Sequence, residues 1–287
     1  MEIDPKKHIH GKNLEDYARK HKTFRDTCYG CLKNAYQTYR TGFDEITSLG
    51  MQDIHKAVKL LNQYRAVAVP VFDGLNNAGQ KALGYTIMEE FFYLLFNKLM
   101  QIHGICESNL FVGKGNSYVS LSFTPGSFAE IFSRPGAYIH TKDQDFMLGA
   151  SVKVTVEAGT KKETEETVIP VIAIECKTYL ERNMLDSCAA TARRLKNAMP
   201  YCVYIVAAEY MKMEGAAPEL TDIDEVYIMC RRKNSDREAR KRSGLPPYDI
   251  DANLVTDLFE RVVRHLKAIW WHPEDAIENG RIINRPL

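Results

Sequence analysis

Two stretches with period-two hydrophobicity, residues 146–156 (FMLGASVKVTV) and 168–179 (VIPVIAIECKTY), flank a ten-residue polar segment, EAGTKKETEE. Alternation of this kind places every second side chain on one sheet face, and the polar segment carries a glycine and no apolar residue except one alanine. The arrangement predicts a β-hairpin and fixes what the rest of the chain must pack against. Near its end the second strand carries Glu175-Cys176-Lys177. Residues two apart share a face of a strand, so Glu175 and Lys177 project together while Ile174 and Cys176 turn the other way.

Around this hairpin the periodicity is helical at both ends. Leu14, Tyr17 and Ala18 give one amphipathic stretch, and Ile54, Ala57, Val58, Leu61 and Tyr64 another. A loop is expected through Pro70, Gly74, Asn76, Asn77 and Gly79, then an apolar helix from Tyr85 to Met100 that carries Glu89 and Glu90. Residues 118–123 form a further strand candidate. Met184, Leu185, Cys188, Ala189, Ala192 and Leu195 mark a helix ended by Pro200, and residues 201–208 return as a buried strand. Residues 231–247 are charged and loop-like. The last amphipathic helix, residues 253–271, carries Leu254, Leu258, Val262, Leu266 and Ile269. The order predicts an α/β fold with a mixed sheet flanked by helices and helical additions at both termini. It divides into a helical region over 1–80, a core over 81–210, and a basic loop with a C-terminal helix over 211–287 packed on that core.

Composition narrows the setting. The 38 Lys+Arg and 37 Asp+Glu leave a net charge of +1, which excludes a uniformly basic coat or an acidic tail. The seven cysteines, at 28, 31, 106, 176, 188, 202 and 230, are odd in number and scattered through apolar stretches, so a reducing compartment is expected. The first residues have no apolar run of the signal-peptide kind, and the densest apolar runs are too short to span a bilayer. A soluble cytoplasmic protein is the expectation.

An acid-x-Lys triplet alone is weak evidence, and this chain has another at Asp4-Pro5-Lys6. Geometry adds weight to Glu175-Cys176-Lys177. The midpoint between Asp145 and Lys177 is residue 161, inside the polar segment, so an antiparallel hairpin carries Asp145 to the Glu175–Lys177 end of its partner. Two carboxylates and a lysine at one sheet end suit Mg²⁺, which takes one or two carboxylates, waters and phosphate oxygens. A Mg²⁺ held by Asp145 and Glu175 polarises a phosphodiester and lowers the pKa of a bound water. Lys177 orients the water or steadies the developing charge. The competing interpretation is an exposed Glu–Lys pair on a strand.

Asp145-Phe146-Met147-Leu148, the hairpin, and Ile172-Ala173-Ile174-Glu175-Cys176-Lys177 together resemble the PD-(D/E)XK nuclease core. GYTIMEEFFYLLF (84–96) resembles the glutamate-bearing helix that precedes this core, and NMLDSCAATARRLKNAMPYCVYIVAAE resembles the helix and strand that follow it. The resemblance covers about residues 84–209. ECKTYLERNML with PYCVYIVAAE is most similar to type II restriction endonucleases of the BbvCI-like group. The resemblance implies that Asp145 and Glu175 are metal ligands, joined by the backbone carbonyl of Cys176, and that Lys177 is the catalytic lysine. It also implies a helix glutamate at Glu89 or Glu90, which helical periodicity does not separate. Gln144 stands where the family pattern has proline, and Asp143 is the reserve candidate for Asp145. The implied activity is Mg²⁺-dependent, site-specific hydrolysis of double-stranded DNA, by a homodimer or by two different subunits. A repair or recombination nuclease on the same core, and a DNA-binding subunit without cleavage, are the alternatives.

A nuclease must hold a polyanion. The segment RRKNSDREARKR (231–242) has seven basic and two acidic residues, and Arg231, Arg232, Lys233, Arg240, Lys241 and Arg242 are its candidate phosphate contacts. A solvated loop is the plainer explanation of such a run. Arg193, Arg194 and Lys196 on the helix after the site are further candidates. The segments FVGKGNSYVS and TPGSFAEIFSRPG, taken as loops, offer Lys114, Asn116, Ser117 and Arg134 for base edges. Cys28-Tyr29-Gly30-Cys31 lacks a second close ligand pair and is expected to pack rather than bind zinc. Cys176 is expected to point into the core, and His265 to be a surface or packing residue.

Overall fold

The computed structural model describes residues 8–76, 79, 83–133, 136–158, 161–268 and 273–280. Helix α1 (Ile9–Lys20) is followed by a short helical turn and a π-helical turn over Arg25–Tyr29, which run into α2 (Gly30–Asp44); α3 (Met51–Asp73) comes next. Pro70 sits inside the last turn of α3, not in a loop. A proline there forfeits one carbonyl partner, and the buried stripe of Ile54, Val58, Leu61, Tyr64, Ala68 and Phe72 holds the helix past it.

Helix α4 (Thr86–Ile102) precedes a five-stranded sheet in the order β1 (Leu110–Phe123), β2 (Ala137–Ala158), β3 (Lys161–Leu180), β4 (Val203–Met211) and β5 (Glu225–Lys233). Strands β1 and β3 each pair antiparallel with β2, β1 and β3 share one parallel bridge at Ser117–Val168, and β3, β4 and β5 run parallel. Helix α5 (Arg182–Ala198) is the crossover from β3 to β4. Helices α6 (Asn234–Arg242), α7 (Ala252–Lys267) and α8 (Pro273–Asn279) complete the chain. The expected helix residues 269–271 and Arg134 lie outside the described residues.

The β2–β3 hairpin is longer than the polar segment predicts. Strand pairing continues to Ala158 and Lys161, so most of EAGTKKETEE is strand. Opposite charges facing each other hold it, with Glu157–Lys162 at 2.5 Å, Lys153–Glu166 at 3.9 Å, and a Thr155–Thr164 hydroxyl contact at 3.1 Å. Phe146 pairs with Ile174, which directs Asp145 towards Glu175, two residues from the pairing that a turn centred on residue 161 predicts.

Three further segments differ from expectation. FVGKGNSYVS lies within β1, because the backbone of 111–120 pairs with β2 despite its two glycines. Residues 234–242 are helical; Asp236 accepts the Lys233 N–H at 3.3 Å at the helix start, and basic residues fill the last turn, where they suit the helix dipole. β5 is a strand where the sequence predicts none, its apolar residues Val226, Tyr227 and Ile228 paired with the distant β4.

The sheet separates two apolar layers. Phe146, Leu148, Ile172, Ile174 and Cys176 face α4, α3 and α7, and α1 and α2 contribute Leu14, Tyr36 and Phe43 to the same layer. Met147, Ala173, Tyr204 and Val206 face Leu185, Cys188, Ala192 and Leu195 of α5. Alternation along β2 and β3 therefore assigns consecutive residues to opposite layers. Among the described residues no helix is long and apolar enough to cross a membrane.

Candidate active site

At the end of the β2–β3 pairing, the side chains of Asp145, Glu175 and Lys177 meet. Asp145 Oδ2 accepts the Cys176 N–H at 2.9 Å, which ties the carboxylate to the backbone of β3. Lys177 Nζ lies 2.5 Å from Glu175 Oε1 and 3.6 Å from Asp145 Oδ2. Asp143, the reserve candidate, is 62% exposed in its side chain, against 16% for Asp145. The geometry favours Asp145.

Two further groups complete the cluster. Glu89 enters from the first turn of α4, and Lys114 from β1. Lys114 Nζ lies 3.2 Å from Glu89 Oε2, 3.4 Å from Asp145 Oδ1 and 3.9 Å from Asp143 Oδ2. The result is an alternating series, Glu89, Lys114, Asp145, Lys177, Glu175, with three carboxylates and two ammonium groups. Burial pushes the Glu89 carboxyl up to about 8, Asp145 adds to the rise, and Lys114 opposes it. Burial and Asp145 likewise raise Glu175 against the pull of Lys177. For Lys177 burial acts downward, but Glu175 and Asp145 outweigh it and hold the ammonium above its ordinary range.

Glu90 faces elsewhere. One residue on a helix turns the side chain by about 100°, and Glu90 is enclosed by other partners. Its Oε2 accepts the N–H groups of His10 at 2.8 Å and Gly11 at 3.1 Å, and its Oε1 accepts the Tyr36 hydroxyl at 2.5 Å. Arg40 stands 3.6 Å away. This carboxylate ties α1 and α2 to α4, so the ambiguity between the two glutamates resolves to Glu89 at the site.

The donor set fits a hard divalent cation. Three partly neutralised carboxylates, two of them pushed up by crowding and burial, are what a metal ion relieves, and the Cys176 carbonyl is on the same strand. Among the described residues no three His, Cys, Asp or Glu side chains are already arranged to hold a metal, and the ammonium groups of Lys114 and Lys177 stand among the carboxylates.

The basic segment is largely engaged within the protein. Arg231 pairs with Asp251 at 2.6 Å, Lys233 with Glu214 at 3.3 Å, and Lys241 with Asp73 at 3.2 Å. Arg232 and Arg240 lie over the Tyr248 ring at 5.1 and 4.5 Å. Arg242 is exposed, as are Arg193 and Arg194 on α5. Lys114, expected on a loop, is a strand residue inside the carboxylate cluster. Its place there was not legible, since nothing local distinguishes a lysine between two glycines as a partner of a helix glutamate. Cys176 is buried in the core layer, and His265 is buried with Nε2 2.7 Å from the Tyr201 carbonyl.

The solved structure titled "native BbvCI A2B2 tetramer at low resolution" superposes with a TM-score of 0.71 over 90% of this chain and 95% of that one, at 21% identity. That likeness shows the fold. No curated protein matches the chain. The model of the Bpu10I restriction endonuclease family matches residues 80–281, a span that contains the whole carboxylate cluster and most of the chain. The chain thus belongs to the Bpu10I restriction endonuclease family and is a type II restriction endonuclease, a site-specific endodeoxyribonuclease.

Proposed function

We propose that the enzyme hydrolyses phosphodiester bonds of double-stranded DNA with Mg²⁺ at the cluster of Glu89, Asp145, Glu175 and Lys177. The observation that carries this reading is the Asp145–Lys177–Glu175 grouping, in which one ammonium bridges two carboxylates at distances of 3.6 and 2.5 Å. Asp145, Glu175 and the Cys176 carbonyl would hold the ion, with Glu89 beside them. Bound there, it supplies Lewis-acid polarisation of the phosphate and a more acidic water. Lys177 keeps its proton beside these carboxylates, so it acts as a positively charged donor that orients the attacking water and faces the charge developing on phosphorus. Cys176 gives the backbone only, since its thiol is buried in the opposite layer.

The exposed Arg193 of α5 and the strand-to-helix segment from Arg231 to Arg242 are our proposed phosphate contacts, with Arg231 and Lys233 each 60% exposed despite their ion pairs. One constellation serves one DNA strand, so duplex cleavage calls for two. The A2B2 arrangement named for the BbvCI structure supports assembly with a second nuclease subunit, either a copy of this chain or a different one. We assign the enzyme to the cytoplasm, where its DNA is.

Incubation of a plasmid of known sequence with the protein and Mg²⁺, followed by sequencing of the ends, tests the reading. Breaks at one recurrent sequence, abolished by EDTA, are expected. Breaks that ignore sequence, or that persist in EDTA, would overturn it.

A further inference from the structure

Lys114 is the member of the cluster with no part in the reaction as derived above. Its ammonium is shared between Glu89 and the Oδ1 atom of Asp145, while Oδ2 of that carboxylate is taken by the Cys176 N–H and Lys177. The oxygens that Lys114 holds are therefore the ones left for a further cation. It reaches them from an irregular place in the sheet, where the β1–β2 pairing slips between Gly113 and Gly115. Gly113 has φ +130°, a conformation that favours glycine.

The two lysines of the cluster are held differently. Lys177 makes a 2.5 Å contact with Glu175, whereas the contacts of Lys114 are spread over 3.2 to 3.9 Å. In exposure the two are alike, 29% of the Lys114 side chain against 27% for Lys177, so it is the looser contacts that leave the flexible four-carbon stem of Lys114 free to move out to solvent. A divalent ion at Glu89 and Asp145 and an ammonium at the same oxygens repel each other at contact distance.

We propose that Lys114 is a resident counter-ion of the metal position: it neutralises Glu89 and Asp145 until a divalent cation arrives, then gives way and swings outward to the side from which the DNA phosphate enters. This rests on the metal-dependent reading of the site. Such an exchange keeps the crowded carboxylates neutralised before a metal binds, and it frees a cation for the substrate when the metal takes its place.

The test measures amine reactivity of the intact protein without DNA, by brief acylation and mass spectrometry of each lysine, with and without Mn²⁺ alone. Binding of Mn²⁺ is followed in parallel by loss of the free-ion paramagnetic resonance signal. Lys114 is expected to react several-fold faster when Mn²⁺ is bound, while Lys153, far out on the β2–β3 hairpin, does not change. Asp145→Asn should abolish the acceleration. Bound Mn²⁺ with unchanged or slower acylation of Lys114 would overturn the counter-ion role and leave the metal site standing. Failure of Mn²⁺ to bind would remove both.

Discussion

Glu89 and Glu90 are consecutive on one helix and belong to different structures: the carboxylate of Glu89 lies 3.2 Å from the ammonium of Lys114 in the candidate active site, and that of Glu90 accepts the first N–H groups of the N-terminal helix. Their replacement should separate activity from stability. Glu90→Ala leaves Arg40 and two backbone donors without their buried acceptor and should cost about 3 kcal/mol or more, measured by urea unfolding. Glu89→Gln should keep or raise stability, since the charged form is disfavoured where it sits, and should abolish cleavage.

The same burial gives Glu89 a signature in pH. Its carboxyl titrates near 4.5 in the unfolded chain and at about 8 when folded. Between those values the folded state binds more protons, so this group's contribution to stability falls as pH rises from about 4.5 to about 8. Thermal denaturation across that range should show a shallower alkaline decline in Glu89→Gln than in the parent protein.

His10 acts at the acid end. It is buried between Thr86 and Tyr64, with ring nitrogens 3.0 and 2.6 Å from their hydroxyls, and burial brings its pKa down from 6.5 to about 3. The unfolded chain takes up this proton first, so stability falls as pH drops from 6.5 towards 3. His10→Gln should reduce the loss over that window, followed by fluorescence-monitored unfolding at stepped pH.

Gly149 sets the spacing of the two strands that carry Asp145 and Glu175. A Cβ there would stand 2.1 Å from the backbone oxygen of Ile169, at the irregularity between Leu148 and Gly149. Backbone cannot yield as a side-chain tip does, so Gly149→Ala should cost about 1–3 kcal/mol in unfolding measurements and slow cleavage by displacing Asp145 from Cys176.

Much of this site was legible because its central part is local. Alternation in two neighbouring stretches specifies the hairpin, and a residue spacing of two places Glu175 beside Lys177. What periodicity misses is the length of the hairpin, because charged and hydroxyl pairs such as Glu157–Lys162 and Thr155–Thr164 zip the strands nearly to the turn, a stabilisation that hydrophobic periodicity does not register.

What escaped depends on partners far away in the chain. The choice between Glu89 and Glu90 is made by His10, Gly11 and Tyr36, and Lys114 is drawn into the cluster by a helix 25 residues earlier. β5 needs β4 beside it before its short apolar run becomes a strand. The basic segment illustrates a different limit. A charge count gives its sign, yet Asp251, Glu214 and Asp73 take up much of that charge from elsewhere in the fold.

The proposed roles of Asp145, Glu175 and Lys177 in cleavage are tested by single-turnover cutting of a duplex containing the mapped site, with Mg²⁺, by the parent protein beside Glu175→Ala and Lys177→Ala. DNA binding is measured on the same preparations in Ca²⁺. Both variants should fold and bind the duplex while cutting at least about a hundredfold more slowly, the scale of losing a positioned acid–base or charge-stabilising group. Cutting by either variant at the parent rate would rule out these roles.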